Sequence, residues 1–233
     1  MTATGNSMTF SQFGEDQLVW KFFGEKVSGF FVDVGANEPD ELSQSLLLEN
    51  KGWNGILVEP QSDCCVRLRE KRPRSRVFQV ACGAPEQRGK AMLQLSLQES
   101  KLATGQGNLP KDGYEEVEVM TLDDILAQSP HPQLDFVSID VEGLELQVLR
   151  GFDILKHRPR LMIIEDNLPN RLKVHAYIKK HGYRLVKRTG CNNWYIPKNE
   201  PFPYTTAWER IKLFRKMYIG KAFRKLRILL TGH

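Results

Sequence analysis

This 233-residue sequence predicts an open α/β fold, with a mostly parallel sheet covered by helices on both faces. Three observations predict it. Short β-branched and aromatic runs alternate with helical stretches, the last two such runs read as a hairpin, and polar or acidic residues follow the runs directly. In sheets of this kind ligands bind beyond the carboxyl ends of the strands, near the point where strand order reverses.

Gly29–Val34, aromatic and β-branched between glycines, predicts the first strand. Ser43–Asn50 predicts a helix stopped by Lys51 and Gly52, and Gly55–Glu59 a second strand ended by Pro60. Asp63–Arg72 reads as a helix with Val66 and Leu68 inward, closed by Pro73; Arg76–Ala81 is the third strand. Lys90–Leu97 and Glu115–Met120 alternate apolar and polar residues, as a half-exposed antiparallel pair does. Residues 88–120 are thus an inserted hairpin around a glycine-rich stretch, 98–114, long enough to read as a mobile substrate-binding loop. Thr121, with Asp124 three residues on, marks a capped helix start. Leu134–Ile139 is the fourth strand, Gly143–Leu149 a helix and Arg160–Glu165 the fifth strand. A helix near Asn170–His181 ends at Gly182, and Tyr183–Lys187 with Asn193–Pro197 forms the closing hairpin. Residues 1–206 form one domain, and 207–233 a separate tail.

Composition narrows the function classes. An apolar fraction of 41% with 26% charged residues belongs to a globular chain, and no apolar run approaches the ~18 residues of a membrane span. The first eight residues lack a signal-peptide profile, and Cys64, Cys65, Cys82 and Cys191 form no C-x-x-C pair, so the expectation is a cytoplasmic protein with reduced thiols. The net charge of +5 is uneven. Residues 207–233 hold eight Lys or Arg against Glu209, a net +7, which leaves −2 on residues 1–206. A nucleic-acid groove across the main domain is therefore not expected.

The chemistry-bearing residues sit at strand ends. Asp33-Val-Gly-Ala-Asn37 follows the first strand; Gly35 permits a tight turn and Ala36 keeps it uncrowded. Glu59 ends the second strand, where its carboxylate can accept two hydrogen bonds from a ribose diol. Within one βαβ unit this pair points to an adenosine-type ligand. The turn is not G-x-G-x-x-G, which argues against a dinucleotide, and no P-loop occurs.

Ser11–Asp16, Phe31–Asn37, Gly52–Pro60, Asp135–Glu145, Leu149–Gly151 and Arg158–Glu165 together resemble the signature blocks of FkbM-type methyltransferases, in order over roughly residues 10–197. The resemblance implies a class I, Rossmann-like methyltransferase sheet of seven strands with a terminal antiparallel hairpin. It also implies S-adenosylmethionine as methyl donor and O-methylation of a sugar hydroxyl on a glycan or natural product. Carried onto this chain, Asp33, Gly35, Ala36 and Asn37 would line the methionine part and Glu59 would hold the ribose. Ala81 and Cys82 would flank the adenine, and Asp140 would stand at the methyl-transfer end. Ser43, near the next helix N-terminus, would bind the methionine carboxylate. Pro39 stands where many relatives have glycine, which removes one backbone N–H from that side.

An alcohol acceptor needs alignment and a base. The candidates are Asp140, Glu142 and Glu145 after the fourth strand and Glu165 and Asp166 after the fifth, with Asp140 and Glu165 expected to act. Asp140 with Asp166 and Asn167 also resembles the magnesium ligands of catechol-type methyltransferases, which leaves a divalent metal open. His131, His157, His175 and His181 share no spacing and are expected at the surface. The tail, with Trp208, Phe214, Tyr218, Phe223 and Leu226 among its basic residues, suits an anionic membrane surface, where the protein would be peripheral; a C-terminal helix packed on the domain, a disordered tail and an RNA-binding segment are the other readings of it. A nucleic-acid or small-molecule methyltransferase, or a non-catalytic adaptor, are the alternative readings. No Asn/Asp-Pro-Pro-Tyr motif follows the fourth strand to support base methylation.

Overall fold

The computed structural model describes residues 9–94, 101–102, 113–129, 133–166 and 170–215. In chain order the first half comprises α1 (Glu15–Phe22), β1 (Phe30–Val34), α2 (Leu46–Asn50), β2 (Asn54–Val58), α3 (Ser62–Lys71), β3 (Ser75–Phe78) and β4 (Ala81–Cys82). Then follow β5 (Gly89–Gln94), β6 (Lys101–Leu102), β7 (Tyr114–Met120), α4 (Leu122–Ala127), β8 (Phe136–Ile139), α5 (Glu145–Arg150) and α6 (Ile154–His157). The chain continues with β9 (Leu161–Glu165), α7 (Arg171–Lys180), β10 (Tyr183–Thr189), β11 (Asn192–Pro197) and α8 (Ala207–Phe214).

Seven strands make the main sheet in the order β10-β11-β9-β8-β1-β2-β3. The five from β1 to β9 within it are parallel, while β11 runs antiparallel to both β9 and β10. Because both faces are covered, the central parallel strands are largely apolar and successive side chains enter different cores. Val32 and Val34 pack with Ile56, Val137, Ile164 and the α4 residue Ile125 on one face. Phe31 packs with Leu57, Phe136 and Ile163 on the other, against Val19 of α1 and Leu68 of α3. The expected α/β class and the terminal hairpin are present.

A second, four-stranded sheet has the order β4-β7-β5-β6, with β5 antiparallel to β7 as the alternation between 90 and 120 predicts. Most of the 98–114 loop lies outside the described residues. Thr121 caps α4 as expected, accepting from the Asp124 N–H at 3.1 Å while the Asp124 carboxylate accepts the Thr121 N–H at 3.2 Å.

Four expectations need correction. The third strand does not run from Arg76 to Ala81: β3 ends at Phe78, and Ala81 and Cys82 cross into the second sheet to pair with Val119 and Met120. Val66 is 52% exposed, and Cys64 and Cys65 take the inward positions beside Leu68. The helix expected from Ser43 begins only at Leu46. His175 is buried under α7, tilted against the Tyr195 ring, and not at the surface.

Candidate functional site

Strand order runs outward from β1 through β2 and β3 on one side, and from β8 through β9 on the other. The reversal falls between β1 and β8, and a cleft of about 510 Å³ opens at their carboxyl ends. That volume is in the range of drug-sized ligands.

The turn after β1 forms one wall. The Gly35 and Ala36 N–H groups both donate to the Val58 carbonyl, at 2.9 and 3.2 Å, which folds the turn over β2. Gly35 has φ 83°, and a Cβ there would lie 1.7 Å from the Asp140 carbonyl oxygen. Only glycine permits that approach, which brings the loops after β1 and β8 together. Asn37 follows, also with positive φ, at 48°.

Glu59 is 3% exposed, and its two oxygens are held by backbone donors: the Asn37 N–H at 2.9 Å and the Gln61 N–H at 2.9 Å. Burial pushes its carboxyl above the ordinary range, opposed by those two hydrogen bonds. Each oxygen keeps a further lone pair, so the side chain is oriented yet still able to accept from a ligand diol. Val80, Ala81 and Cys82 supply an apolar stretch of wall, and burial pushes the Cys82 thiol up, so it stays neutral.

Asp140, Glu142 and Glu165 meet at the floor, with an oxygen from each within 4.8 Å of the others. Burial raises both Asp140 and Glu165, and the charge of Asp140 raises Glu165 further. The two carboxyls hydrogen-bond each other, so they titrate as a pair whose proton binding is strengthened by burial and by their mutual charge. Glu142 holds a strained φ of 52° beside Gly143, which aims its side chain at the same place.

Of the residues singled out in the sequence, Gly35, Ala36, Asn37, Glu59, Ala81, Cys82, Asp140 and Glu165 all line this cleft. Asp33 and Ser43 do not. Asp33 is buried behind the wall, accepting from the Ser45 hydroxyl at 2.6 Å, and burial raises its carboxyl. Ser43 caps the loop ahead of α2, accepting from the Leu46 N–H at 3.1 Å and from Arg72 Nη1 at 3.4 Å. Arg72, 1% exposed, also donates to Glu49 at 2.6 Å, to Ser45 at 3.0 Å and to the Pro39 carbonyl at 3.3 Å, which fixes the 39–45 loop from inside. Glu145 turns away and accepts the Gly143 N–H at 2.8 Å. Asp166 is buried in ion pairs with Arg171, at 2.7 Å, and Arg188, so its oxygens are committed to guanidinium groups and the expected ligand set with Asp140 is not assembled. Asn167 lies outside the described residues.

Sequence reasoning passed over Gln12, Arg67 and Cys191, all of which reach the cleft. Gln12 sits inside the Ser11–Asp16 block, whose Glu15 is tied to the closing hairpin through Thr189, at 2.8 Å, and Asn192, at 3.0 Å. Among the described residues lining the cleft seven are acidic, and Arg67, paired with Glu38, is the one arginine. The field in the cleft therefore favours cations and neutral polar groups over anions.

A family model described as the methyltransferase FkbM domain matches residues 33–185. Among curated proteins none matches the chain by sequence. Solved structures give low likenesses. The METTL16 methyltransferase domain aligns at 15% identity and TM-score 0.46, over 77% of this chain and 64% of its own length, so the chain spans under two thirds of that domain. A precorrin-6y C5,15-methyltransferase from Geobacter metallireducens aligns at 12% identity and TM-score 0.45, over 83% of this chain and 92% of its own. A putative O-methyltransferase from Klebsiella pneumoniae aligns at 10% identity and TM-score 0.46, over 84% and 83%.

Proposed function

Because this chain belongs to the FkbM-domain family of S-adenosylmethionine-dependent methyltransferases, we propose that it transfers the methyl group to a sugar hydroxyl of a glycan or glycoconjugate. The observation that carries this reading is the convergence of the Asp140, Glu142 and Glu165 carboxyl groups, with an oxygen of each within 4.8 Å of the others, on the floor of a cleft rich in carboxylates.

The residues present suit the donor. The glycine turn lets a ligand approach the backbone, Glu59 offers acceptor lone pairs for a ribose diol, and Val80, Ala81 and Cys82 give a flat apolar face for a purine. The acidic lining complements a ligand that carries a sulfonium and an ammonium. When bound, S-adenosylmethionine supplies an electrophilic methyl group. This chain's part is then alignment and proton removal. Asp140 accepts the hydroxyl proton as the new C–O bond forms; burial and the neighbouring Glu142 charge keep its basicity high, against the lowering effect of its hydrogen bond with Glu165. An uncharged polyhydroxylated acceptor can donate to the remaining carboxylates, whereas a phosphate backbone would be repelled by them. Gln12, Glu41 and Leu42 at the mouth are placed to meet the acceptor.

The test uses methyl-labelled donor with panels of oligosaccharides, small alcohols and oligonucleotides. Label should enter sugars, and Asp140→Asn should cut turnover by about 10²-fold or more while donor affinity stays. Transfer to oligonucleotides instead, or full turnover by Asp140→Asn, overturns the reading.

A further inference from the structure

A second cavity, of about 490 Å³, lies at the outer edge of the main sheet between α7, the first half of β10 and α8. Its floor is apolar, built from Leu185, Val186, Phe202 and Leu213. Its rim carries Lys179, Arg184, Lys198 and Arg210, and no acidic residue lines it among those described. Two carboxylates on the neighbouring segments are paired elsewhere: Glu200 with Arg160 at 2.6 Å, and Glu209 with Lys187 at 2.8 Å. Arg184 is held in place by the carbonyls of Lys198, at 3.2 Å, and Glu200, at 2.9 Å, contacts that orient the guanidinium without cancelling its charge.

The helix beside this groove adds an independent feature. Thr206 and Glu209 cap α8 reciprocally, so the helix is fixed where it leaves the domain. Trp208, Ile211 and Phe214, three residues apart, stand 59%, 49% and 58% exposed, interleaved with Lys212 and Arg215. An apolar ridge of this kind, bordered by cations and headed by tryptophan, suits the boundary between lipid headgroups and acyl chains. The remaining tail, with Lys216, Lys221, Arg224, Lys225 and Arg227, shares the sign of the groove and is a poor complement to it.

We propose that this face docks on an anionic lipid bilayer, with the groove taking a lipid phosphate between Lys179, Arg184, Lys198 and Arg210 while Trp208, Ile211 and Phe214 enter the headgroup layer. Tyr183, at one end of β10, borders the groove, whereas Cys191, just beyond its other end, borders the catalytic cleft. The groove reaches along β10 as far as Val186 and the cleft begins at Cys191, and the two have no lining residue in common. This goes beyond the methyl-transfer reading and stands whatever the acceptor is.

Co-sedimentation of the full chain with vesicles tests it, using phosphatidylcholine alone or mixed with phosphatidylglycerol. Binding should need the anionic lipid. Lys179→Glu with Lys198→Glu, both exposed positions, should lower partition by about tenfold or more, since each basic residue near such a surface contributes about 1 kcal/mol. Trp208→Ala with Phe214→Ala should lower it comparably, and donor affinity by calorimetry should be unchanged in both variants. The proposal is overturned if the Lys179/Lys198 variant partitions like wild type, if only Lys221→Glu with Arg224→Glu abolishes binding, or if the groove takes inorganic phosphate in solution while vesicles are ignored.

Discussion

Glu165→Gln removes one ionisable group from a place that also holds Asp140 and Glu142, with an oxygen of each within 4.8 Å. Folding takes these carboxyls out of water and sets like charges together, so Asp140 and Glu165 bind a proton more tightly in the folded than in the unfolded state. The sign follows from linkage: stability contributed by the protonated pair is complete below the ordinary carboxylate range and is lost as pH rises through the raised one. Each tenfold tightening of proton binding is worth about 1.4 kcal/mol, and because Glu165 is only partly buried, solvent screening cuts the effect of burial and like charge to one or two such factors, roughly 1.5–3 kcal/mol. Glutamine keeps the shape and can donate to the Asp140 carboxylate. The variant should therefore match wild type near pH 5 and exceed it by about 1.5–3 kcal/mol near pH 8, while methyl transfer falls by about 10²-fold. Urea unfolding across that interval reads the difference, with the slope of free energy against denaturant unchanged. If Glu165→Gln is the less stable protein near pH 8, the pair is a structural partnership and not a site held against its own stability.

Two further substitutions probe the donor side. Glu59→Ala should weaken S-adenosylmethionine binding by about 1–3 kcal/mol in calorimetry, the loss of charge-assisted hydrogen bonds; unchanged affinity would place the ribose elsewhere. Gly35→Ala puts a methyl 1.7 Å from the Asp140 carbonyl on a backbone at φ 83°, so it should cost more than the ~1–2 kcal/mol of the left-handed conformation alone. It should also abolish donor binding, and a melting temperature equal to wild type would show that the two loops are free to separate.

Much of this was legible because the cues are local. A β-rich run followed by Gly35, or by Glu59 and Pro60, marks a strand end without knowledge of its neighbours, and the Thr121–Asp124 box is read from four residues. The misreadings are of the opposite kind. Val77 to Cys82 is apolar almost throughout, and nothing in the run says that its last two residues leave the main sheet for β7, nearly forty positions away. Hydropathy favoured Val66 over its cysteine neighbours, but with Cys64, Cys65 and Leu68 turned inward Val66 falls on the outer side of α3. Ser43 was assigned from its place near a helix N-terminus and Asp166 from its place after the fifth strand, whereas Arg72 and Arg188, more than twenty positions away, and Arg171, five away, claim their polar atoms. The carboxyl pair was foreseen as two candidates, but the raised proton affinity of both follows only from their meeting in space.

The Glu15 contacts bear on how the enzyme is made. Glu15 is 1% exposed, and its hydroxyl and amide partners lie 174 and 177 positions later in the chain. A ribosome extrudes the first segment long before Thr189 and Asn192, and a carboxylate of this kind stays hydrated until something can satisfy it. The strip bearing Gln12 therefore settles only once the final hairpin has emerged and folded. Such distant pairing is slow to nucleate, which makes completion of the cleft a late event in biogenesis. A chain that ends before this hairpin lacks both Glu15 partners, so the strip bearing Gln12 is left without that anchor.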